Sequence, residues 1–75
     1  MRALIEKPED IGRFVQRIRA EAQMTQRELA EELGTSQRYI SELEAGKPKR
    51  IDGSYFDLLR KLGITLSAET AARDD

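Results

Sequence analysis

Residues 25–46 read TQRELAEELGTSQRYISELEAG, and this stretch decides the fold. Thr25 lies three residues before Glu28, so its hydroxyl can accept from the Glu28 N–H while the Glu28 carboxylate accepts from the Thr25 N–H, a capping box that opens a helix. Met24 before the cap and Leu29 at the fourth helical position are spaced as a hydrophobic staple. Leu29, Ala30 and Leu33 share one face, and Gly34 follows where a helix stops on a residue tolerant of positive φ, so the spacing predicts a helix over Gln26–Leu33. Only Thr35 and Ser36 come before the next periodic segment. Ser36 is a good N-cap for a helix over Gln37–Ala45, closed by Gly46 and turning Ile40 and Leu43 inward. Two helices joined by so short a glycine turn cross steeply, and the small side chain of Ala30 lets their axes approach.

The flanking sequence reads as support for this pair. Upstream, Pro8 suits the first position of a helix, with Glu9 and Asp10 in the first turn where the dipole favours carboxylates, although Lys7 is a poor cap. Ile11, Phe14, Val15, Ile18 and Ala22 recur at helical spacing, giving a helix over Pro8–Ala22 with Arg13, Arg17 and Arg19 elsewhere around it. Downstream, Lys47-Pro48-Lys49-Arg50-Ile51-Asp52-Gly53 is a polar, basic loop, because Pro48 cannot continue the preceding helix. Asp52 caps a fourth helix over Gly53–Leu62, Ile51 is spaced to staple Phe56, and the expected buried face is Phe56, Leu59 and Leu62 with Tyr55 or Leu58 at its margin. Gly63 ends it, with Ile64 placed to meet Leu59 in a Schellman closure.

Ile64-Thr65-Leu66-Ser67 alternates apolar and polar residues, as a short strand does. A lone strand is not stable, so its partner is expected to be the N-terminal Leu4-Ile5 segment, the same strand of a second subunit, or both. The fold class is therefore mainly α, a compact four-helix domain with a short C-terminal strand. The expected divisions are an N-terminal tail or short strand at 1–7, the helical domain at 8–63, a dimerisation strand at 64–67 carrying Ile64 and Leu66, and a flexible tail at 68–75.

Composition narrows the function. With no cysteine and no histidine there is no thiol chemistry, no imidazole base and no usual zinc site, and the carboxylates show no calcium-loop spacing, so neither an enzyme nor a metal or cofactor site is expected. No apolar run is long enough to span a bilayer and no secretory signal opens the chain, so a soluble cytoplasmic protein is expected. Thirteen Lys and Arg against fourteen Asp and Glu give a net charge of -1, which counts against a nucleic-acid binder unless cations are placed locally.

Gln26, Ala30, Gly34, Ile40 and Leu43 together resemble, position by position, the helix-turn-helix of the Xre/Cro family of phage and bacterial repressors. That resemblance implies a lambda-repressor-like DNA-binding domain whose second motif helix lies in the major groove. Ser36, Gln37, Arg38, Ser41 and, nearer the flank, Glu42 would then face the bases. Gln suits adenine, Arg suits guanine and Ser suits several bases, although the same residues are ordinary on a solvated helix face and only the motif gives them this meaning. Glu42 would either accept from a cytosine amine or repel phosphate. Gln26 resembles the family position that donates to a backbone phosphate, while Lys47, Lys49 and Arg50 in the loop, together with Arg27 and the Tyr39 hydroxyl, are further phosphate candidates. One such helix covers few base pairs, so the expected assembly is a homodimer on an inverted-repeat operator in double-stranded DNA, with half-sites about 34 Å apart. The terminal FDLLRKLGITLS is similar to the HipB-like antitoxin branch, which implies a strand paired across a dimer, repression of the protein's own operon and a HipA-type kinase toxin as partner. A stand-alone repressor and a protein-interaction adaptor on the same fold remain the alternatives.

Overall fold

The computed structural model describes residues 1–71, so the end of the expected 68–75 tail lies outside the described residues. The elements are α1 (Pro8–Glu21), α2 (Gln26–Leu33), α3 (Gln37–Glu44) and α4 (Gly53–Lys61). The boundaries of α2 are those the sequence predicts, and those of the other helices differ by one residue at the C-terminus.

The starts are fixed by side-chain acceptors. Thr25 Oγ1 accepts from the Glu28 N–H at 3.0 Å and Glu28 Oε1 accepts from the Thr25 N–H at 2.8 Å. Hydrogen bonding from Thr25 to the carboxyl, by its backbone N–H first and then its side chain, holds Glu28 below its ordinary value. Ser36 Oγ accepts from the Tyr39 N–H at 3.0 Å, and Asp52 Oδ1 accepts from the Ser54 and Tyr55 N–H groups at 3.1 and 3.3 Å. At α1 the ammonium of Lys7 has no lone pair to offer. Asp10 answers from inside the helix, its Oδ2 accepting from the Glu6 and Lys7 N–H groups at 2.9 and 3.1 Å.

The ends share one device. After α2, Gly34 (φ 72°) lets the Thr35 N–H reach the Ala30 carbonyl at 2.9 Å, and after α4 Gly63 lets the Ile64 N–H reach the Leu59 carbonyl at 2.9 Å, the Schellman closure expected there. The end of α1 makes the same closure, Met24 N–H to Arg19 carbonyl at 3.1 Å, around Gln23, a side-chain-bearing residue at φ 56°.

α3 is the central element and packs against both α1 and α2. Val15, Leu29, Ala30, Ile40, Leu43, Tyr55, Leu58 and Leu59 form the buried core, with Met24, Leu33, Leu62 and Ile64 packed against it. Two expected faces are corrected. On α4 the inward stripe is Tyr55, Leu58, Leu59 and Leu62, at i, i+3, i+4 and i+7, whereas Phe56 is 40% exposed and Ile51 59%, so their staple does not reach the core. On α1 only Val15 enters the core; Ala22 is exposed, and Ile11, Phe14 and Ile18 form a second, half-buried stripe.

Gly12 explains how α1 comes so near. A Cβ there would stand 2.4 Å from the Glu44 carbonyl oxygen and 2.7 Å from that of Leu43, so only glycine lets α1 rest on the C-terminal end of α3. The stripe that makes this contact is Gly12, Val15 and Arg19. Arg19 meets Glu44 there, Nε to Oε2 at 2.7 Å and an amino nitrogen to Oε1 at 2.9 Å, with the Glu44 side chain 1% exposed. Hydrogen bonding to Glu44 raises the Arg19 guanidinium above its already high ordinary value, so the guanidinium stays charged.

Among the described residues no strand forms. Ile64 has committed its N–H to the close of α4, and no backbone hydrogen bond joins residues 64–67 to residues 3–5. Within one chain the expected strand has no ladder to complete, which is the physical reason it stays unpaired. The two segments instead flank a groove lined in part by Ile11, Phe14 and Ile18.

Candidate nucleic-acid interface

The face opposite the core on α3 carries the residues that the sequence assigns to base reading. Ile40 and Leu43 are 0% and 1% exposed, which fixes the rotation of the helix about its axis, and Ala30 at 2% lets α2 cross against it. Ser36, Gln37, Arg38 and Ser41 are consequently exposed together, at the N-terminal end and along the outer face of α3. The Ser36 oxygen is engaged as the cap, yet its O–H remains free to donate. Glu42 lies at the flank with its side chain 24% exposed, and its Oε1 accepts from Arg38 Nε at 3.1 Å.

The phosphate candidates fall into distinct settings. Lys47 and Lys49 are exposed and have no carboxylate within ion-pair distance among the described residues. Arg50 lies 3.6 Å from Asp52 and Arg27 lies 3.6 Å from Glu31, so each shares its charge with a neighbouring carboxylate. Tyr39 is half-buried, and burial, then the charge of Asp52, pushes its phenol above the ordinary value, so the hydroxyl stays a neutral donor through the physiological range. Gln26 is also half-buried. Its Nε2 donates to Glu44 Oε1 at 3.0 Å, which leaves the second N–H of that nitrogen for another acceptor. Ile64 is half-buried against the core and Leu66 is 43% exposed, and both line the groove.

Sequence reasoning missed the network of Arg19, Gln26 and Glu44, which ties α1 and α2 to the end of α3. A signal was present. Glu44 falls on the stripe of Ile40 and Leu43 at i+4 and i+1, and Arg19 falls four residues after Val15, so each charge sits on an apolar face where burial demands a partner.

Comparison with known proteins agrees with this architecture. An uncharacterized HTH-type transcriptional regulator of Sinorhizobium fredii (strain NBRC 101917 / NGR234), y4mF, is 40% identical over 62 residues, 83% of this chain and 82% of that protein. Among solved structures, a HipB variant in an O2 20mer complex superposes with a TM-score of 0.74 at 24% identity, covering 96% of this chain and 100% of that one. A HipA-HipB-O2-O3 complex gives 0.73 at 22% identity, covering 95% and 100%. At such identities these structures establish the fold. Residues 15–68 match the helix-turn-helix family, and with the capped pair α2–α3, its glycine turn and its buried Ala30, Ile40 and Leu43, the chain belongs to that family in its Xre-like form.

Proposed function

We propose that this helix-turn-helix transcriptional regulator is a dimeric, sequence-specific repressor that reads an inverted-repeat operator with Ser36, Gln37, Arg38 and Ser41, and grips the flanking phosphates through Lys47, Lys49 and the second N–H of Gln26. Arg27, Tyr39 and Arg50 stand at the edge of this grip. The observation that carries the reading is the exposure of those four α3 residues in one patch, clear of the protein's own body, while their neighbours Ile40 and Leu43 are buried. Their chemistry matches what major-groove readout requires, with Arg38 suited to guanine and Gln37 to adenine. A net charge of -1 is compatible with this because the face holds its own exposed cations.

Within that function we infer the role of an antitoxin that represses its own operon and neutralises a HipA-type kinase. The superposition on HipB structures, one of them in a complex with HipA, supports this partner, as does the terminal FDLLRKLGITLS. Co-expression with a HipA-type kinase should give a stable complex; its absence on co-purification leaves a stand-alone repressor.

DNA reading is tested by selecting preferred duplexes from a randomised pool. Arg38→Ala should cost about 1–3 kcal/mol of specific affinity and relax the preference at one base position. Equal loss on selected and random duplexes would show that Arg38 does not read sequence. Affinity should also fall steeply with added salt, because phosphate contacts release counterions; a salt-independent interaction would favour a protein-binding adaptor.

A further inference from the structure

Resting on the assignment of Arg38 to base reading, we propose that Glu42 is a positioning residue: it holds the Arg38 guanidinium in one orientation and so sets how sharply that side chain discriminates between bases. The Arg38 Nε donates to Glu42 Oε1 at 3.1 Å. Arginine carries five N–H donors, so engaging Nε leaves both terminal nitrogens, and with them the two-pronged edge that matches guanine O6 and N7. The side chains differ in exposure as this division of labour requires, 79% for Arg38 and 24% for Glu42. The carboxylate lies against the helix flank and supports the guanidinium from beneath.

Helix stability does not account for the pair. Arg38 sits in the first turn of α3 and Glu42 in its second half, so each charge lies at the end where the macrodipole disfavours it. An acidic residue N-terminal to a basic one is also the better order at i,i+4 spacing, and here the order is reversed. Favouring one arginine rotamer before contact lowers the ordering cost at the moment of binding, and a guanidinium held by Glu42 swings less often to a phosphate. The attached carboxylate would otherwise be a charge facing phosphates; paired with Arg38, its repulsion is offset.

The test compares wild type, Arg38→Ala, Glu42→Ala, Glu42→Gln and the double alanine variant on duplexes selected by the wild type from a randomised pool, with circular dichroism checking that each is folded. Glu42→Ala should lower the preference at the Arg38-dependent base position roughly two- to five-fold, the ratio an exposed ion pair supports. It should have no further effect once Arg38 is alanine. Glu42→Gln, which keeps an acceptor oxygen, should retain more of the preference than Glu42→Ala. A loss at a different base position, additive with Arg38→Ala, would mean that Glu42 contacts a base itself and overturns the proposal. An equal gain in affinity for every duplex, with preferences unchanged, would mean that Glu42 acts only by repelling phosphate and overturns it too. If Arg38→Ala leaves every base preference intact, the reading of Arg38 fails and this inference falls with it; if Arg38→Ala relaxes one position that Glu42→Ala leaves untouched, only the inference falls.

Discussion

At the scale of single residues, what governs stability is what each backbone or buried group is made to tolerate. Gln23 sits at φ 56°, in the left-handed region, where the other two helix-to-helix turns place Gly34 and Gly46. A residue with a Cβ is strained there by about 1–2 kcal/mol, whereas glycine enters the same region freely but gives up more chain entropy on folding. The first effect is the larger, so Gln23→Gly should stabilise the protein by about 0.5–1 kcal/mol, read as a rise of a few degrees in Tm at fixed protein concentration. A fall in Tm would mean that the glutamine side chain contributes a contact outweighing its backbone strain. Glu44 presents the opposite case. Its buried carboxylate accepts from Arg19 twice and from Gln26 once, and among the described residues no buried side-chain nitrogen or oxygen lacks a partner. Such a network does little for stability relative to apolar packing, but it fixes the register of three helices, and through Gln26 it links the core to the proposed phosphate contact.

At the scale of elements, the contact between α1 and α3 depends on an absent side chain. In an isolated helix Gly12→Ala would be favourable by about 1 kcal/mol, because alanine is the better helix former. Here the new methyl would meet the Glu44 and Leu43 carbonyl oxygens, which are backbone and cannot swing aside. Overpacking of this kind costs about 1–3 kcal/mol, so the substitution should lower the denaturation midpoint despite the gain in helix propensity. A raised midpoint would show that the helices do not approach as closely as described. The same contact shows what could be read from the chain beforehand. The starts and stops of α2 and α3 are written locally, in Thr25, Glu28, Gly34, Ser36 and Gly46, and were legible; so was the outward rotation of α3, since Ile40 and Leu43 leave only one face for the core. The face of α4 was misread because Ile51 is spaced to staple Phe56, whereas the stripe that is buried runs through Tyr55, Leu58, Leu59 and Leu62. Local pattern puts Arg19 and Glu44 on apolar faces, but which charge pairs with which, and the need for glycine at position 12, depend on residues 25 or more positions apart.

At the scale of the whole molecule, the question is what completes a chain whose core, among the described residues, is eight side chains. A domain this small buries a modest share of its surface, and an association that covers further apolar area is the usual remedy. Leu4 is 80% exposed, Phe56 40% and Leu66 43%, and the segment after α4 runs beside a groove lined by Ile5, Ile11 and Phe14. Thr65 to Ser67 engage no backbone hydrogen bond to another segment of the described chain, so they are free to pair with the same segment of a second copy. Two-fold pairing there would present two α3 helices to one duplex, doubling the phosphate contacts that a chain of net charge -1 can offer. Leu66→Lys places a charge at the centre of that contact, distant from α3 in sequence and outside the buried core. The protein should then sediment as a monomer with its helix content intact, and its affinity for a duplex carrying both half-sites should fall towards that for a single half-site. If the variant sediments as the wild type does, the interface lies elsewhere and residues 64–67 are only the tail of the domain.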